Sequence, residues 1–160
     1  MTKKSDFTPE EWQQLMETPL TVSALITLSS PALGDAIKES MAAAKMIAKT
    51  AQSGDNSELL AALVGQLQDK EAAKAAQPKI ESKDPEEIKA QLLESVAAAA
   101  GLLDEKATPE EATQIKQWLY DLAVVVAEAA KEGDFMGIGG VRVNESEKAM
   151  LQQLSDTLGL

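Results

Sequence analysis

The sequence predicts an all-α protein, an antiparallel bundle of about six or seven helices in a single domain over residues 1–160. Two observations favour this fold. Five of the six prolines directly follow a residue that caps helix N-termini well. Apolar side chains also recur at steps of three and four along most of the chain, whereas the alternation typical of strands is confined to residues 141–143. A chain of 160 residues has the usual length of one domain.

Seven helix starts are predicted from capping residues. In a Thr-Pro, Ser-Pro or Asp-Pro pair, the first side chain accepts a hydrogen bond from the first turn, and proline takes the first helical position. These pairs begin at Thr8, Thr18, Ser30, Asp84 and Thr108. Two further starts lack proline, one at Asp55 or Ser57 and one at Asn144. Glutamate follows at the third helical position in four of these helices, at Glu11, Glu87, Glu111 and Glu147.

Apolar stripes predict which face of each helix is buried. The first stripe comprises Leu33, Ile37, Met41, Ala44 and Ala48. The second comprises Leu60, Leu63, Val64 and Leu67. The third comprises Ile88, Leu92, Val96, Ala99 and Leu103. The fourth comprises Ala112, Ile115, Leu119, Leu122, Val126 and Ala129. We expect all four stripes to face the core.

The two halves of the bundle are joined by a linker-like stretch at about residues 70–83, whose first half has some helical character. It has no apolar stripe and includes Pro78, the one proline without a capping residue before it. A long helix, a turn and a second helix lie on either side, and residues 37, 38 and 41 match residues 88, 89 and 92. A duplicated helical hairpin and a chance likeness between amphipathic helices both fit this pattern.

Composition excludes several classes of chemistry. The chain has no Cys and no His, which excludes disulfides, zinc–thiolate sites and Ser–His–Asp hydrolysis. Its net charge of -11 and pI near 4.5 predict repulsion of phosphate backbones and anionic lipid headgroups, so we expect neither nucleic acid nor membrane partners. Residues 1–7 lack a signal-peptide pattern, and no apolar stretch reaches the length of a membrane-spanning helix. We therefore expect a cytoplasmic protein.

A glycine-rich segment, residues 133–143, differs most from the rest of the chain. Its candidate ligand- or partner-binding residues are Phe135, Gly137, Gly139, Gly140 and Arg142. An anion cradle clamped by the single arginine is one hypothesis, but no strand precedes the glycines and no Lys-Ser/Thr pair follows them. A partner-binding loop is another. The favoured interpretation is structural, with the apolar side chains of the segment closing one end of the bundle.

Paired carboxylates do not predict a metal site. The pairs are Glu10-Glu11, Glu86-Glu87, Asp104-Glu105 and Glu110-Glu111. Neighbouring residues on a helix diverge by about 100°, so such a pair rarely meets on one ion, and capping accounts for three of the four pairs. We predict no metal, no cofactor and no catalytic residue. Trp118 lies on the flank of an apolar stripe, which favours core packing over the wall of a ligand cavity.

Three segments resemble an uncharacterised family of small acidic bacterial helical proteins. They are DFTPEEWQQLMETP near the start, SSPALGDAIKESM after it, and EAAKEGDFMGIGGVRVNESEKAMLQQLSDTLGL at the end. The family is marked by a TPEEW-type start and a GG-V-x-V segment before the last helix. The resemblance implies an all-α fold and a bacterial setting. It implies no activity, cofactor or site residue.

The sequence favours a non-enzymatic function, as a helical module that binds a protein partner, acts as an adaptor or forms a homodimer. The alternative is a helical bundle that binds a small ligand or a divalent ion through residues 133–143 and nearby acids.

Overall fold

The computed structural model describes residues 1–30, 36–129 and 145–160. Helix accounts for 81% of these described residues, and none of them lies in a strand. The helices are α1 (Pro9–Ser29), α2 (Ala36–Ala51), α3 (Glu58–Leu67), α4 (Lys70–Ala75), α5 (Pro85–Lys106), α6 (Pro109–Ala129) and α7 (Glu145–Leu158). A short 3-10 turn, Lys4–Asp6, precedes α1. The prediction of an all-α bundle of about seven helices is confirmed.

Helix α1 lies at the centre of the bundle. It packs against α2, α3, α5, α6 and α7, and its side chains Val22, Leu25 and Ile26 are completely buried. Hydroxyl groups on its buried surface are satisfied within the helix, because Thr21 and Ser29 donate to the carbonyls of the residues four positions earlier. Burying each large aliphatic side chain stabilises the fold by about 1.5–3 kcal/mol.

Three of the predicted Pro-linked helix starts are confirmed by cap geometry. Thr8 Oγ1 accepts a hydrogen bond from the Glu11 amide at 3.2 Å, and Glu11 Oε2 accepts one from the Thr8 amide at 2.8 Å. Thr108 and Glu111 form the same reciprocal box at 3.3 and 3.2 Å. Asp84 caps α5 by accepting from two amides of its first turn. The start without proline near Leu59 is capped by Ser57 rather than Asp55.

The predicted helix start at Thr18-Pro19 is wrong. Pro19 lies inside α1, which continues from Pro9 to Ser29. Proline removes one backbone donor in mid-helix, but the surrounding turns are held in the core by Leu15, Met16 and Val22.

The number of helices is still seven because α4 occupies the first part of the stretch at about 70–83 that we interpreted as a linker. The predicted starts at Pro31 and Asn144 fall outside the described residues.

Buried faces agree with the predicted stripes in α3, α5 and α6. All four α3 positions are buried, as are Leu92 to Leu103 of the α5 stripe and Ile115 to Val126 of the α6 stripe. Ile88 and Ala129, at the ends of those stripes, are half-buried. These three helices therefore follow the simple rule that the strongest apolar stripe faces the core.

The predicted buried face of α2 is wrong. Ile37 and Met41 are 75% and 67% exposed, and Ala44 is exposed as well, whereas Ala43 and Ile47 face the core. Two apolar stripes overlap on this helix, and the core takes the one that also contains Glu39. That glutamate is completely buried, and its carboxylate accepts a hydrogen bond from the Thr27 hydroxyl of α1. Leu92 of α5, which matches Met41 of α2, is buried. These two residues, which suggested a duplicated hairpin, therefore differ in environment.

Candidate functional site

The most exposed apolar surface of the described residues is formed by one side of α2. We call this surface, comprising Ile37, Met41, Ala44 and Ala48, the α2 apolar face. Steps of four, three and four place these residues on one side of the helix. The only other large apolar side chains exposed among the described residues are Ile80 and the terminal residues Met1 and Leu160.

A groove of about 680 Å³ lies beside the α2 apolar face. It runs between α1 and α2 and is closed by α3, α4 and residues 77–80, and we call it the α1–α2 groove. Its apolar wall includes Leu20, Ala24 and Leu28 of α1, which are all half-buried, and Ile80, which is 48% exposed. None of its lining residues is charged, although 26% of the chain is. Ala44 and Ala48 belong to both surfaces, so groove and face are continuous.

The exposed charges of α2 are all positive. Lys38, Lys45 and Lys49 are exposed, and the one acidic residue of the helix, Glu39, is buried. Lys45 follows Met41 by four residues, so the lysine row borders the α2 apolar face. Lys45 and Lys49 form no ion pair within the described part of the chain.

The region around the groove differs in charge from the rest of the chain. Residues 36–83 contain seven lysines and six acidic residues, whereas the remaining residues contain eight basic and twenty acidic ones. The net negative charge of the protein is therefore carried by sequence outside α2, α3 and α4. The segment from α4 to residue 81 carries exposed charges of both signs, namely Lys74, Lys79, Glu71 and Glu81.

A second cleft, of about 1000 Å³, lies on the other side of α2, between α2 and α6. Lys45 and Lys49 line one wall, and the opposite wall carries Glu110, Asp121 and Glu128. Met46, Leu60, Trp118 and Val125 are among its apolar lining residues. We call it the α2–α6 cleft.

The polar groups at one end of the α2–α6 cleft already bond to one another. The Gln114 side chain accepts a hydrogen bond from the Ser57 amide at 2.8 Å and donates to the Asp55 carbonyl at 3.0 Å. The Trp118 indole donates to Thr50 Oγ1 at 2.9 Å, and the side chain is only 6% exposed, as expected of a core residue. These bonds fix the α2–α3 turn against α6.

The N-terminal TPEEW motif is explained by structural contacts. Glu11, besides capping α1, accepts a hydrogen bond from Lys106 Nζ at 2.6 Å, and the same ammonium lies 5.8 Å from the Phe7 ring centroid. Trp12 packs on Phe7 and donates its indole N–H to Gln66 of α3 at 2.9 Å. The motif therefore joins α1 to α3 and α5.

Glu111 ties the start of the chain to α6. Its carboxylate accepts the Thr2 amide at 3.1 and 3.2 Å and the Thr2 hydroxyl at 2.7 Å, in addition to the amide of Thr108. Burial raises the pKa of Glu111, but these hydrogen bonds outweigh it and hold the pKa below the ordinary value of 4.5. The Lys106 hydrogen bond is the largest cause that lowers the pKa of Glu11.

The candidate residues proposed from the sequence, Phe135, Gly137, Gly139, Gly140 and Arg142, lie outside the described residues. The paired acids do not assemble into a metal site where the chain is described, since no three carboxylates there lie close enough to hold an ion. No described helix is both long and apolar enough to cross a membrane.

Sequence reasoning missed the α2 apolar face because it assigned Ile37 and Met41 to the core. The signal for it was a second apolar stripe, through Ala43 and Ile47, on the same helix.

The chain matches no protein-family model, no curated protein and no solved structure.

Proposed function

We propose that the protein is a non-enzymatic protein-interaction module that binds its partner through the α2 apolar face and the α1–α2 groove. The observation that carries the proposal is the exposure of Ile37 and Met41 on a regular helix beside an uncharged groove. Contiguous exposed apolar surface of this kind marks interaction sites in soluble proteins. Burying each of the two side chains against a partner would contribute about 1.5–3 kcal/mol.

The geometry supports ligand binding in the α2–α6 cleft less strongly. A small-molecule site needs a few polar groups that converge on the ligand, but those of Gln114 and Trp118 are already engaged with other parts of the chain. The apolar groups of the α2 apolar face, in contrast, contact solvent. Binding of a protein partner uses them, and binding in the cleft does not.

The proposal is tested by site-specific photo-crosslinking in cells. A photoreactive residue at position 41 is expected to give a discrete adduct with one partner chain. The same residue in place of Gln153, which is exposed on α7, is the control and should not give it. Adding Ile37→Lys to the position-41 protein should remove the adduct without lowering its melting temperature, because Ile37 is mostly outside the core.

The absence of an adduct from position 41, or the same adducts from positions 41 and 153, would contradict the proposal. An adduct that survives Ile37→Lys would show that the partner lies near Met41 without using the apolar face.

A further inference from the structure

We infer that the partner presents an amphipathic helix whose apolar stripe is bordered by carboxylates along the edge that faces α2. This inference rests on the proposed function and specifies the chemistry of the partner. Three observations lead to it: the shape of the groove, the sign of the charges on α2, and the charge of the rest of the chain.

The shape fits a helix. The α2 apolar face is a stripe about three turns long. The α1–α2 groove beside it runs between α1 and α2 and is closed by α3, α4 and residues 77–80. A partner helix laid along this surface buries side chains spaced by three and four residues, which is how amphipathic helices bind apolar grooves. The concave, uncharged lining accepts individual apolar side chains, which a flat lipid surface does not offer.

The positive charges of α2 favour a partner helix that has acidic residues beside its apolar stripe. Lys45 and Lys49 border the apolar stripe and have no ion-pair partner among the described residues. The acids nearest to them are Glu110, Asp121 and Glu128 across the α2–α6 cleft, and α2 itself has no exposed acid. Carboxylates on the adjoining edge of a docked helix would lie opposite these two ammonium groups. Lysines in the same positions would be repelled, and like charges across an interface exclude wrong partners.

The negative charge of the rest of the molecule favours binding of such a partner at this surface rather than elsewhere. An acidic helix is repelled by α5 and α6, which have a combined net charge of -6, whereas residues 36–83 have no excess of negative charge. A second copy of this chain fits less well. Among its described residues, and apart from the terminal ones, the exposed large apolar side chains are those of the same surface, so an antiparallel pairing would bring one lysine row against the other.

The test uses two synthetic helical peptides of about 20 residues with one identical leucine stripe. One peptide carries Glu on both flanks of the stripe and the other carries Lys, and binding to the full chain is measured by fluorescence anisotropy. We expect the Glu peptide to bind at least about tenfold more tightly than the Lys peptide. The preference should weaken as salt is added, because the lysines are exposed.

Charge reversal provides the decisive variant. In the double variant Lys45→Glu and Lys49→Glu, the Lys peptide should bind more tightly than the Glu peptide. The matched control is Lys3→Glu with Lys148→Glu, which changes the net charge equally at two exposed positions away from α2 and should retain the original preference. Thermal melting of both double variants verifies that each is folded.

Each other outcome overturns the inference in a distinct way. Equal binding of the two peptides would refute the acidic flank and leave the apolar interaction surface intact. Binding of neither peptide would refute a helical partner, while the crosslink from position 41 decides the proposed function separately. A Met41-dependent dimer in sedimentation would assign the surface to a second copy. Binding to vesicles of phosphatidylcholine and phosphatidylglycerol would assign it to a membrane.

Discussion

Glu111 joins two parts of the chain that are far apart in the sequence. One carboxylate caps α6 and holds Thr2, which is 109 positions away in the chain. Capping alone would need only the Thr108 amide, so the bonds to Thr2 give this glutamate a second role. Because Glu111 is buried as well, the hydrogen bonds from Thr2 and Thr108 are what lowers the pKa of its carboxyl against the effect of burial.

The pKa of Glu111 predicts a specific loss of stability in acid. A carboxyl with a depressed folded-state pKa stabilises the protein fully above its ordinary value of 4.5, and that contribution is lost as the pH falls through the lower folded-state value. Glu111→Gln should therefore lower the free energy of unfolding at pH 7 by about 1–3 kcal/mol. It should also flatten the dependence of stability on pH below 4.5, as measured by urea denaturation at a series of pH values.

Glu110→Gln is the matched control for this prediction, because Glu110 is adjacent and exposed. If both variants lose the same stability and keep the same acid dependence, the bonds to Thr2 and Thr108 do not stabilise the ionised form of Glu111. Glu11, whose pKa is also lowered, keeps some acid dependence in either variant.

At the scale of the helix, α2 shows that the apolar stripe predicted from the sequence to be buried can differ from the stripe that the core buries. Its two apolar stripes share a repeat of three and four residues, and periodicity alone cannot rank them. The buried stripe has the smaller apolar content because it includes Glu39. Thr27, a residue of another helix, donates a hydrogen bond to that carboxylate within the bundle.

A matched pair of isoleucines tests this assignment. Ile47→Ala should cost about 2–5 kcal/mol in the free energy of unfolding, because Ile47 lies in the core. Ile37→Ala on the same helix should change it by less than about 0.5 kcal/mol, because Ile37 is 75% exposed. Equal costs in chemical denaturation would mean that both stripes are buried. A larger cost for Ile37→Ala would support the face that we predicted from the sequence.

The other elements show how far local sequence information extends. Caps at Thr8, Asp84 and Thr108 were predicted, and Ser57 was one of two candidates with Asp55, because capping is a contact between residues two or three apart. Pro19 was misassigned because its neighbours Leu15 and Val22 hold the helix together through contacts with other helices. The α2 apolar face was missed for the same reason, since exposure is a property of the whole packing. Residues 133–143 remain a sequence-based hypothesis.

At the scale of the whole molecule, charge and apolar exposure are arranged together. The exposed apolar side chains Ile37, Met41 and Ile80 lie within residues 36–83, which is also the part of the chain without excess negative charge. Mutual repulsion between the acidic residues elsewhere opposes association between copies of the protein. This arrangement is consistent with the partner-binding surface proposed above.

The central position of α1 has a consequence for hydrogen exchange. An amide in an outer helix can exchange its proton when that helix frays, but α1 contacts five other helices, so its middle reaches solvent only when the bundle opens as a whole. The amides of Val22, Leu25 and Ile26 should therefore be the most strongly protected from exchange with deuterium, as measured by NMR. The free energy of opening, calculated for each amide from its observed and intrinsic exchange rates, should be the same for all three and should equal the global free energy of unfolding from denaturant. Three amides in the middle of α1 would then report the stability of the entire molecule under native conditions, without any denaturant being added.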